Sequence, residues 1–570
     1  MSDQKNDVGT RSLERPAFGA MVALLLAPLV AQGAWRPLVH VFGPAGTAGA
    51  VTVAAATIAV ATSVLQALRP SRRPLLLLGL GGIVAVAATV GWSLGTAGLL
   101  TLLLTAAAMA FLLHWMVPQL PASLDGLVTR HKVLAGLYVL IALTAVMSTT
   151  RLSIFMGDAT QVDKQSVPGE KFLETHNCLT AYVQAEQISR QRVDNLYDPK
   201  WWHGAHSMPP REPGVENPYQ PFLLDFYPYP PPFLLIMRPL GLLEGDFPAQ
   251  RALWFGLTGL LMAAGVWIVA RWIDGPNTHR VLLLAPILFG TIPVLATLQT
   301  GNFQIAVVMI SILSMVAFDR NRHALGGALL AFAILSKLSP CLLGIVLLGQ
   351  RRFRSAAWSA GFGVILLALS VLTIGVQPMT AFLTYLLPRL GSGEAFAFMD
   401  DEVFSILTNM SPFGIPFKLQ LLGMKVGDPW VIGRWLGRAY SAALVVLALV
   451  SAQRQGDRRA KAVTWMSLLV LAALQSPFAP GYTLIGLLWA MTLLAVEVRR
   501  VRGGLAIVFL MLVLVVIPPL PVPVITVQSL LQSVLAIGVP AWLILRRVKP
   551  SESSPAQYQR AGQDHSGPLH

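Results

Sequence analysis

Two cations interrupt apolar runs, and several polar groups gather near them in the chain. Lys337 breaks "AILSKLSPCLL" and Arg238 breaks "FLLIMRPLGLL". An ammonium in such a run is costly in lipid, so Lys337 either faces a cavity or a partner or snorkels from a helix end to the interface. Arg238 meets the same alternatives, and at headgroup depth its guanidinium suits a phosphate. Asn302 and Gln304 in "LQTGNFQIAVV" either bind a polar ligand or tie neighbouring helices together. Tyr227 and Tyr229 in "DFYPYPPP" offer rings for stacking or for anchoring at a membrane interface. His176 is either a proton acceptor or an exposed loop residue. Carboxylates collect in two stretches: ten acids against seven bases from Arg151 to Tyr227, and five against three from Gln377 to Pro429. These fifteen are more than half of the chain's 27 acids. Cations set in apolar segments beside acid-rich loops are the materials of charge and proton chemistry at a membrane surface.

The elements that position them are membrane helices. Of 570 residues 55% are hydrophobic and only 12% charged, about half the charge of a soluble globular chain. Apolar blocks such as Phe18 to Val41, Leu76 to Leu94 and Ala252 to Val269 are long enough to cross a bilayer. The polar stretch before the first block is rich in acids and lacks a cleavage pattern, so it leads into an uncleaved first helix. The net charge of +15 does not point to nucleic acid. Its Lys and Arg lie in short clusters between apolar blocks, as cytoplasmic loops do. Cys178 and Cys341 lie far apart in unlike settings and supply neither a disulfide framework nor a metal motif.

Charge parity threads the chain. Residues 1–17 form a cytoplasmic tail and 18–132 a four-helix N-terminal addition, with helices near 18–41, 47–67, 74–93 and 96–115. The core, 133–548, opens with a helix near 133–150 and continues with crossings near 250–270, 280–298, 303–318, 324–337, 338–350, 356–376, 430–450, 463–476, 481–496, 504–518 and 526–545. Residues 549–570 are a disordered cytoplasmic tail. The acid-rich loops, 151–249 and 377–429, fall outside, and both termini inside the cell's inner (plasma) membrane. The short pair split at Lys337-Leu338-Ser339-Pro340 reads as a broken span, whose irregular backbone must be buried in protein or line a cavity. Thr180 to Val193 has one apolar face and predicts a surface-lying helix. Phe233 to Leu243 is too short to cross, and a crossing there would carry the later basic clusters to the wrong side. It predicts a re-entrant segment, with the proline turn before it as a hinge.

The segments "YPYPPPFLLIMRPLGLL", "LQTGNFQIAVVMISIL" and "GGALLAFAILSKLSPCLLGIVLLGQRRFR" occur in an order that resembles glycosyltransferase family 87. "EVFSILTNMSPFG" is similar to that family's Asn-x-Ser-x-x-Gly segment, at Asn409, Ser411 and Gly414. "LQSPFAPGYTLIGLLWA" is similar to its Ser-Pro-x-x-x-x-Tyr helix start, at Ser476, Pro477 and Tyr482. The resemblance runs from about Val133 to the last helix. It implies an all-α polytopic membrane protein with a GT-C-like bundle of about twelve core helices, to which the N-terminal four are added. It also implies transfer of a sugar, mannose or another hexose, from a polyprenyl-phosphate donor to a lipid or glycan acceptor. Two positions depart from the pattern. His176-Asn177 stands where the family places an Asp before the interfacial helix, and Gly481 where it often has His. Either the base has moved or the chemistry is altered.

In the implied reaction an acceptor hydroxyl attacks the anomeric carbon and the polyprenyl phosphate departs. A carboxylate base must reach the hydroxyl, and the phosphate needs Arg, Lys or a divalent metal such as Mg2+ or Mn2+. The resemblance places the base in the first outer loop just after a helix. That makes Asp158 the first choice, with Glu174 and His176 as catalytic candidates and Asp163 and Glu170 in reserve. Arg238, Lys337, Asn302, Gln304, Tyr227, Tyr229, Asn409 and Tyr482 are the candidates for binding substrate. A secondary transporter or a flippase of lipid-linked sugar is the rival class, although the chain shows no internal repeat; an inactive membrane scaffold is a third.

Overall fold

The computed structural model describes residues 132–273, 278–497 and 521–546, apart from scattered single positions, together with parts of 21–43 and 503–507. The helices expected near 47–67, 74–93, 96–115 and 504–518, and both terminal tails, lie outside the described residues. All regular structure among the described residues is helical. The principal helices are α1 (Lys132–Gly157), α2 (Leu179–Arg190), α3 (Phe247–Ile273), α4 (Thr278–Phe289), α5 (Ile292–Thr300), α6 (Gln304–Asp319), α7 (His323–Ser336), α8 (Cys341–Gly349), α9 (Phe353–Ile374), α10 (Pro429–Ala452), α11 (Arg458–Ala473), α12 (Ile485–Glu497) and α13 (Val522–Leu545).

Five of these, α3, α9, α10, α13 and the Tyr138–Gly157 part of α1, are long and apolar enough to cross a membrane. The protein is an all-α polytopic membrane protein. Local chemistry starts its helices where the chain leaves its loops. Asp428 accepts from the N–H groups of Trp430 and Val431 to cap α10, whose first residue is Pro429. Asp457 caps α11 through Ala460 N–H. The described residues between 21 and 41 are also helical and lie against α3. There Gly33 and Gly256 approach so closely that a Cβ on either would stand 2.8 Å from the other's Cα, the small-residue contact by which apolar helices pack.

Two expectations change form. The crossing expected near 280–298 is two short helices, α4 and α5, separated at Gly290-Thr291 and restarted with Pro293 in the first turn of α5. The next boundary is a sharp bend, with α5 and α6 meeting at 108°. Gly301 makes the bend in the left-handed region (φ +67°), which glycine enters without a Cβ penalty. The pair around Lys337 is broken as its sequence predicts, into α7 and α8. α7 packs between α6 and α9, while α11 packs against both α12 and α13.

The Asp225 to Leu243 stretch does not form a membrane-length helix. Pro231 to Leu243 forms three short helical turns, and its Pro231, Pro232, Phe233, Leu234, Met237, Leu240 and Leu243 are buried. Its aromatic front is locked. Tyr227 hydroxyl donates to Pro230 O (2.9 Å), Tyr197 hydroxyl to Tyr229 O (2.9 Å), and Asp225 N–H to Thr180 Oγ1 on α2 (3.0 Å). The proline turn is thus fastened beside α2. The 377–429 stretch is a series of short helical turns rather than an open loop.

Candidate active site

The bend between α5 and α6 is the anchor of the site. A helix end inside a membrane protein leaves carbonyls that need partners, and here they come from distant segments. Cys178 N–H donates to Thr300 O (2.7 Å), Asn177 Nδ2 to Gln299 O (3.4 Å), and Trp254 Nε1 to Gly301 O (2.8 Å). These bonds pin residues 176–179 to the turn. Just after the bend, Asn302 Oδ1 accepts from Gln304 N–H (3.0 Å) and starts α6. The Asn302 amide then donates to Cys178 Sγ (3.3 Å).

Around this turn a polar group assembles. Lys337 Nζ, from the break between α7 and α8, donates to Gln304 Oε1 (2.7 Å) and lies 5.6 Å from the ring centroid of Tyr229. Tyr229 hydroxyl accepts from Tyr182 hydroxyl (3.2 Å), which itself accepts from Phe303 N–H (3.3 Å). His176 Nε2 stands 3.4 Å from Cys178 Sγ and 3.8 Å from Asp225 Oδ2. Tyr482, on the turn Gly481–Leu484 that packs against α5, lies within electrostatic reach of Cys178, Tyr229 and Asp225. The walls are aromatic. Tyr182 meets Tyr229 and Phe233 edge-on at 5.3 and 4.9 Å, Phe233 meets Phe303 at 4.7 Å, and Phe172 stacks on the His176 ring at 4.4 Å.

Cys178 reports the charge on both sides of the group. Burial pushes its thiol well above the ordinary range, and the Asp225 carboxylate adds to that; the Asn302 hydrogen bond and the Lys337 ammonium work the other way. One side chain thus feels a carboxylate and an ammonium together. Burial likewise holds the Tyr182 phenol far above its usual value, so it remains a hydrogen-bond donor.

Of the residues singled out from sequence, His176, Tyr229, Asn302, Gln304, Lys337 and Tyr482 come together here. The others do not. Asp158 folds back on its own turn, accepting from Thr160 N–H (3.0 Å) and Thr160 Oγ1 (2.7 Å). Burial raises its pKa, but those two bonds, with Gln161 and Arg36 behind them, outweigh it and hold the carboxyl below the usual range. Glu174 accepts from Gln165 Nε2 (3.2 Å) in a net that fastens the loop to Gln299 of α5. Asp163 pairs with Lys164, and Glu170 caps Phe172 N–H.

Tyr227 is fully buried between Tyr197 and Trp202, so no sugar reaches its ring. Arg238 Nη2 is spent on Thr373 O at the end of α9 (2.8 Å). Asn409 is a clamp: its amide donates to Pro477 O (2.8 Å) and its Oδ1 accepts from Ala479 and Ser411 N–H (both 3.0 Å). That explains in physical terms why the Asn-x-Ser segment and the Ser-Pro segment keep company.

Sequence reasoning passed over Asp225 and Cys178. Asp225 is 47 positions from Cys178, and bonds from Thr180 to Leu223 O and Asp225 N–H carry it to α2. The available signal was its place as the last acid before the aromatic turn. Two distant cysteines gave no hint that one would join a His and an Asp, yet the donor atoms of His176, Cys178 and Asp225 all lie within 4.8 Å of one another.

Fold and site together define a polytopic helical membrane protein with a buried polar centre walled by aromatic rings. Residues 227–477 match the sequence profile of glycosyltransferase family 87, and by that match the chain is a membrane glycosyltransferase. The matched segment includes Tyr229, Asn302, Gln304 and Lys337, and begins two residues after Asp225. No curated protein and no solved structure matches the chain.

Proposed function

We propose that the protein transfers a hexose, mannose in the first instance, from a polyprenyl-phosphate donor to a hydroxyl of a lipid or glycan acceptor. The reading is carried by one observation: the Asp225 carboxylate lies within 4.8 Å of Cys178 Sγ, and hydrogen bonds run from that sulfur through Asn302 and Gln304 to the Lys337 ammonium, within one aromatic-walled centre. Acceptor oxygen attacks the anomeric carbon, its proton passes to the Asp225 carboxylate, and the bond from that carbon to the phosphate oxygen breaks. The negative charge left on the phosphate falls to Lys337, with the Asn302 and Gln304 amides as further donors. His176, 3.8 Å from Asp225 Oδ2, orients the carboxylate. Asp225 takes the role expected of Asp158, whose Oδ1 is held twice by Thr160.

In this reading the segments 151–249 and 377–429 face the extracytoplasmic side of the plasma membrane and both termini lie in the cytoplasm. The fifteen carboxylates in the acid-rich stretches, against basic clusters between the other blocks, support that orientation. Residues 18–132 are an N-terminal addition to a core spanning 133–548. The test is a membrane assay with radiolabelled polyprenyl-phosphate sugars. Wild type and Asp158→Ala transfer label, whereas Asp225→Asn loses about 10²- to 10⁴-fold. No transfer from any such donor, alongside counterflow of a solute, would establish the transporter or flippase instead. Undiminished transfer by Asp225→Asn would remove that residue from the role of base.

A further inference from the structure

Sugar transfer as proposed gives roles to His176 and Asp225 but none to the Cys178 thiol, which stands with them. The three donor atoms are an imidazole nitrogen, a thiol sulfur and a carboxylate oxygen, from two segments of the chain. Ligands bound at about 2.0–2.3 Å around a tetrahedral zinc-class ion stand roughly 3.3–3.8 Å apart. The nitrogen–sulfur separation here is 3.4 Å and the nitrogen–oxygen separation 3.8 Å, so two edges of such a tetrahedron are already formed.

The surroundings fit as well. Asp225 Oδ1 is taken by Phe226 N–H (2.9 Å), which leaves Oδ2 turned to His176. Asn302 Nδ2 points its hydrogen at Cys178 Sγ (3.3 Å), the support a metal-bound thiolate receives from outside its ligand set. The Phe172 ring fixes the imidazole plane, and the backbone at residue 178 is pinned to the α5 carbonyl of Thr300. Thiolate and carboxylate together neutralise a divalent charge. Sulfur and nitrogen in the set select a borderline-soft ion over Mg2+, which asks for six oxygens. Three protein ligands leave a fourth position open.

We propose that His176, Cys178 and Asp225 form a binding site for a divalent cation of the zinc class, and that occupancy of this site arrests sugar transfer. Binding displaces the thiol proton of Cys178 to solvent. It also holds Asp225 Oδ2 and His176 Nε2 as ligands, so the carboxylate no longer accepts a proton from an acceptor hydroxyl. The arrest rests on the functional reading above; the binding does not.

The probe is Co2+, titrated into the full chain purified in detergent and stripped of metal with chelator. One equivalent is expected to bind with a sulfur-to-cobalt charge-transfer band in the near ultraviolet, displaced by Zn2+ and unaffected by Mg2+. The band vanishes in Cys178→Ser and persists in Cys341→Ser, the change at the chain's other cysteine. Asp225→Asn, checked for wild-type elution on size exclusion, weakens Co2+ binding at least about tenfold. No band in wild type, or a band that survives in Cys178→Ser, overturns the site. In the transfer assay Zn2+ inhibits wild type and loses potency against Cys178→Ser; Co2+ binding without Zn2+ inhibition overturns the arrest and leaves the site standing. Absence of any transferase activity with the cobalt signature intact counts against the functional reading alone.

Discussion

Replacing Lys337 with methionine removes one charge and keeps the length and apolar stem of the side chain. In the resting structure the ammonium holds Gln304 Oε1 at 2.7 Å and faces the Tyr229 ring. In the reaction its partner is the departing phosphate. A unit charge pair about 4 Å apart is worth roughly 4 kcal/mol at an effective dielectric of 20. Loss of one preorganised electrostatic donor costs about 2.7–4 kcal/mol, or roughly 10²- to 10³-fold in kcat. Because phosphate charge grows as the bond breaks, the loss falls on kcat more than on KM for the donor. The change leaves the buried Gln304 Oε1 without its donor, at about 1–3 kcal/mol, while the ammonium no longer has to be desolvated, so the variant still folds with a modest fall in melting temperature. Lys337→Arg restores charge with a planar fork in place of a point donor, so its kcat lies between the two. The assay is initial-rate transfer from the radiolabelled donor at several donor concentrations, with thermal unfolding of each purified variant as control. Wild-type kcat in a well-folded Lys337→Met would refute the reasoning and make Lys337 a helix-end cation only.

Other substitutions separate scaffold from centre. Asn409→Ala strips the partners of Pro477 O, Ala479 N–H and Ser411 N–H; each orphaned buried group costs about 1–3 kcal/mol, so the melting temperature falls clearly while KM for the donor in the folded fraction stays put. Gly301→Ala forces a Cβ into the left-handed region and to within 3.2 Å of Asn177 Oδ1 and 3.3 Å of Leu179 Cβ. It costs at least about 1–2 kcal/mol and lowers kcat as well, because the displaced neighbours carry Cys178 and His176; an unfolding curve and a rate on the same sample show whether the two fall together. Tyr227→Phe removes a bond to Pro230 O and lowers stability by about 1 kcal/mol with kinetics unchanged. Tyr229→Phe breaks the hydroxyl pair with Tyr182 beside Lys337, and is read out in donor KM.

What the sequence made legible was governed by local patterns. Apolar blocks placed α3, α9, α10 and α13 to within a few residues, because burial in lipid is decided by composition alone. The Lys337 junction was legible too, since an ammonium followed by Ser-Pro cannot sit in a continuous apolar helix. The amphipathic stretch beginning near Thr180 became α2, but nine of its twelve residues are buried, so it is an internal helix and not the surface-lying one its pattern predicts. The stop at Gly290-Thr291 was passed over although its signals are local: glycine after α4, Thr291 at the cap and Pro293 in the first turn of α5. What else escaped depended on distant partners. Tyr227 and Tyr229 are two positions apart in one motif, yet one is walled in by Tyr197 and Trp202 and the other opens on Lys337. Asp158 looked apt by its place after a helix, but a threonine two residues on bonds its Oδ1 twice and turns the carboxylate back on its own turn. No periodicity carries that information.

The way residues 176–178 are held bears on how a base could reach the centre from another part of the loop. The segment is fastened by Cys178 N–H on Thr300 O and by the Asn177 amide on Gln299 O, with Asn177 Oδ1 capping Leu179 N–H. None of these bonds depends on an ionised group. The scaffold under the centre is therefore indifferent to which side chain at 176 faces it, and His176-Asn177 can occupy the place of an acid without loosening the turn. A carboxylate supplied from residue 225 needs only its own tether, and Thr180, on the first turn of α2, provides it through the Asp225 N–H. The two tethers meet on one helix start. Moving α2 would then displace base and imidazole together, while Lys337, held from α7 and α6, would stay behind. Thr180→Val keeps the shape of the side chain and removes the hydroxyl bonds. It should leave donor KM near wild type and lower kcat, with Lys337→Met added on top lowering kcat further by an independent factor. Non-additive loss in the double variant would mean that the carboxylate and the ammonium are held by one element and not by two.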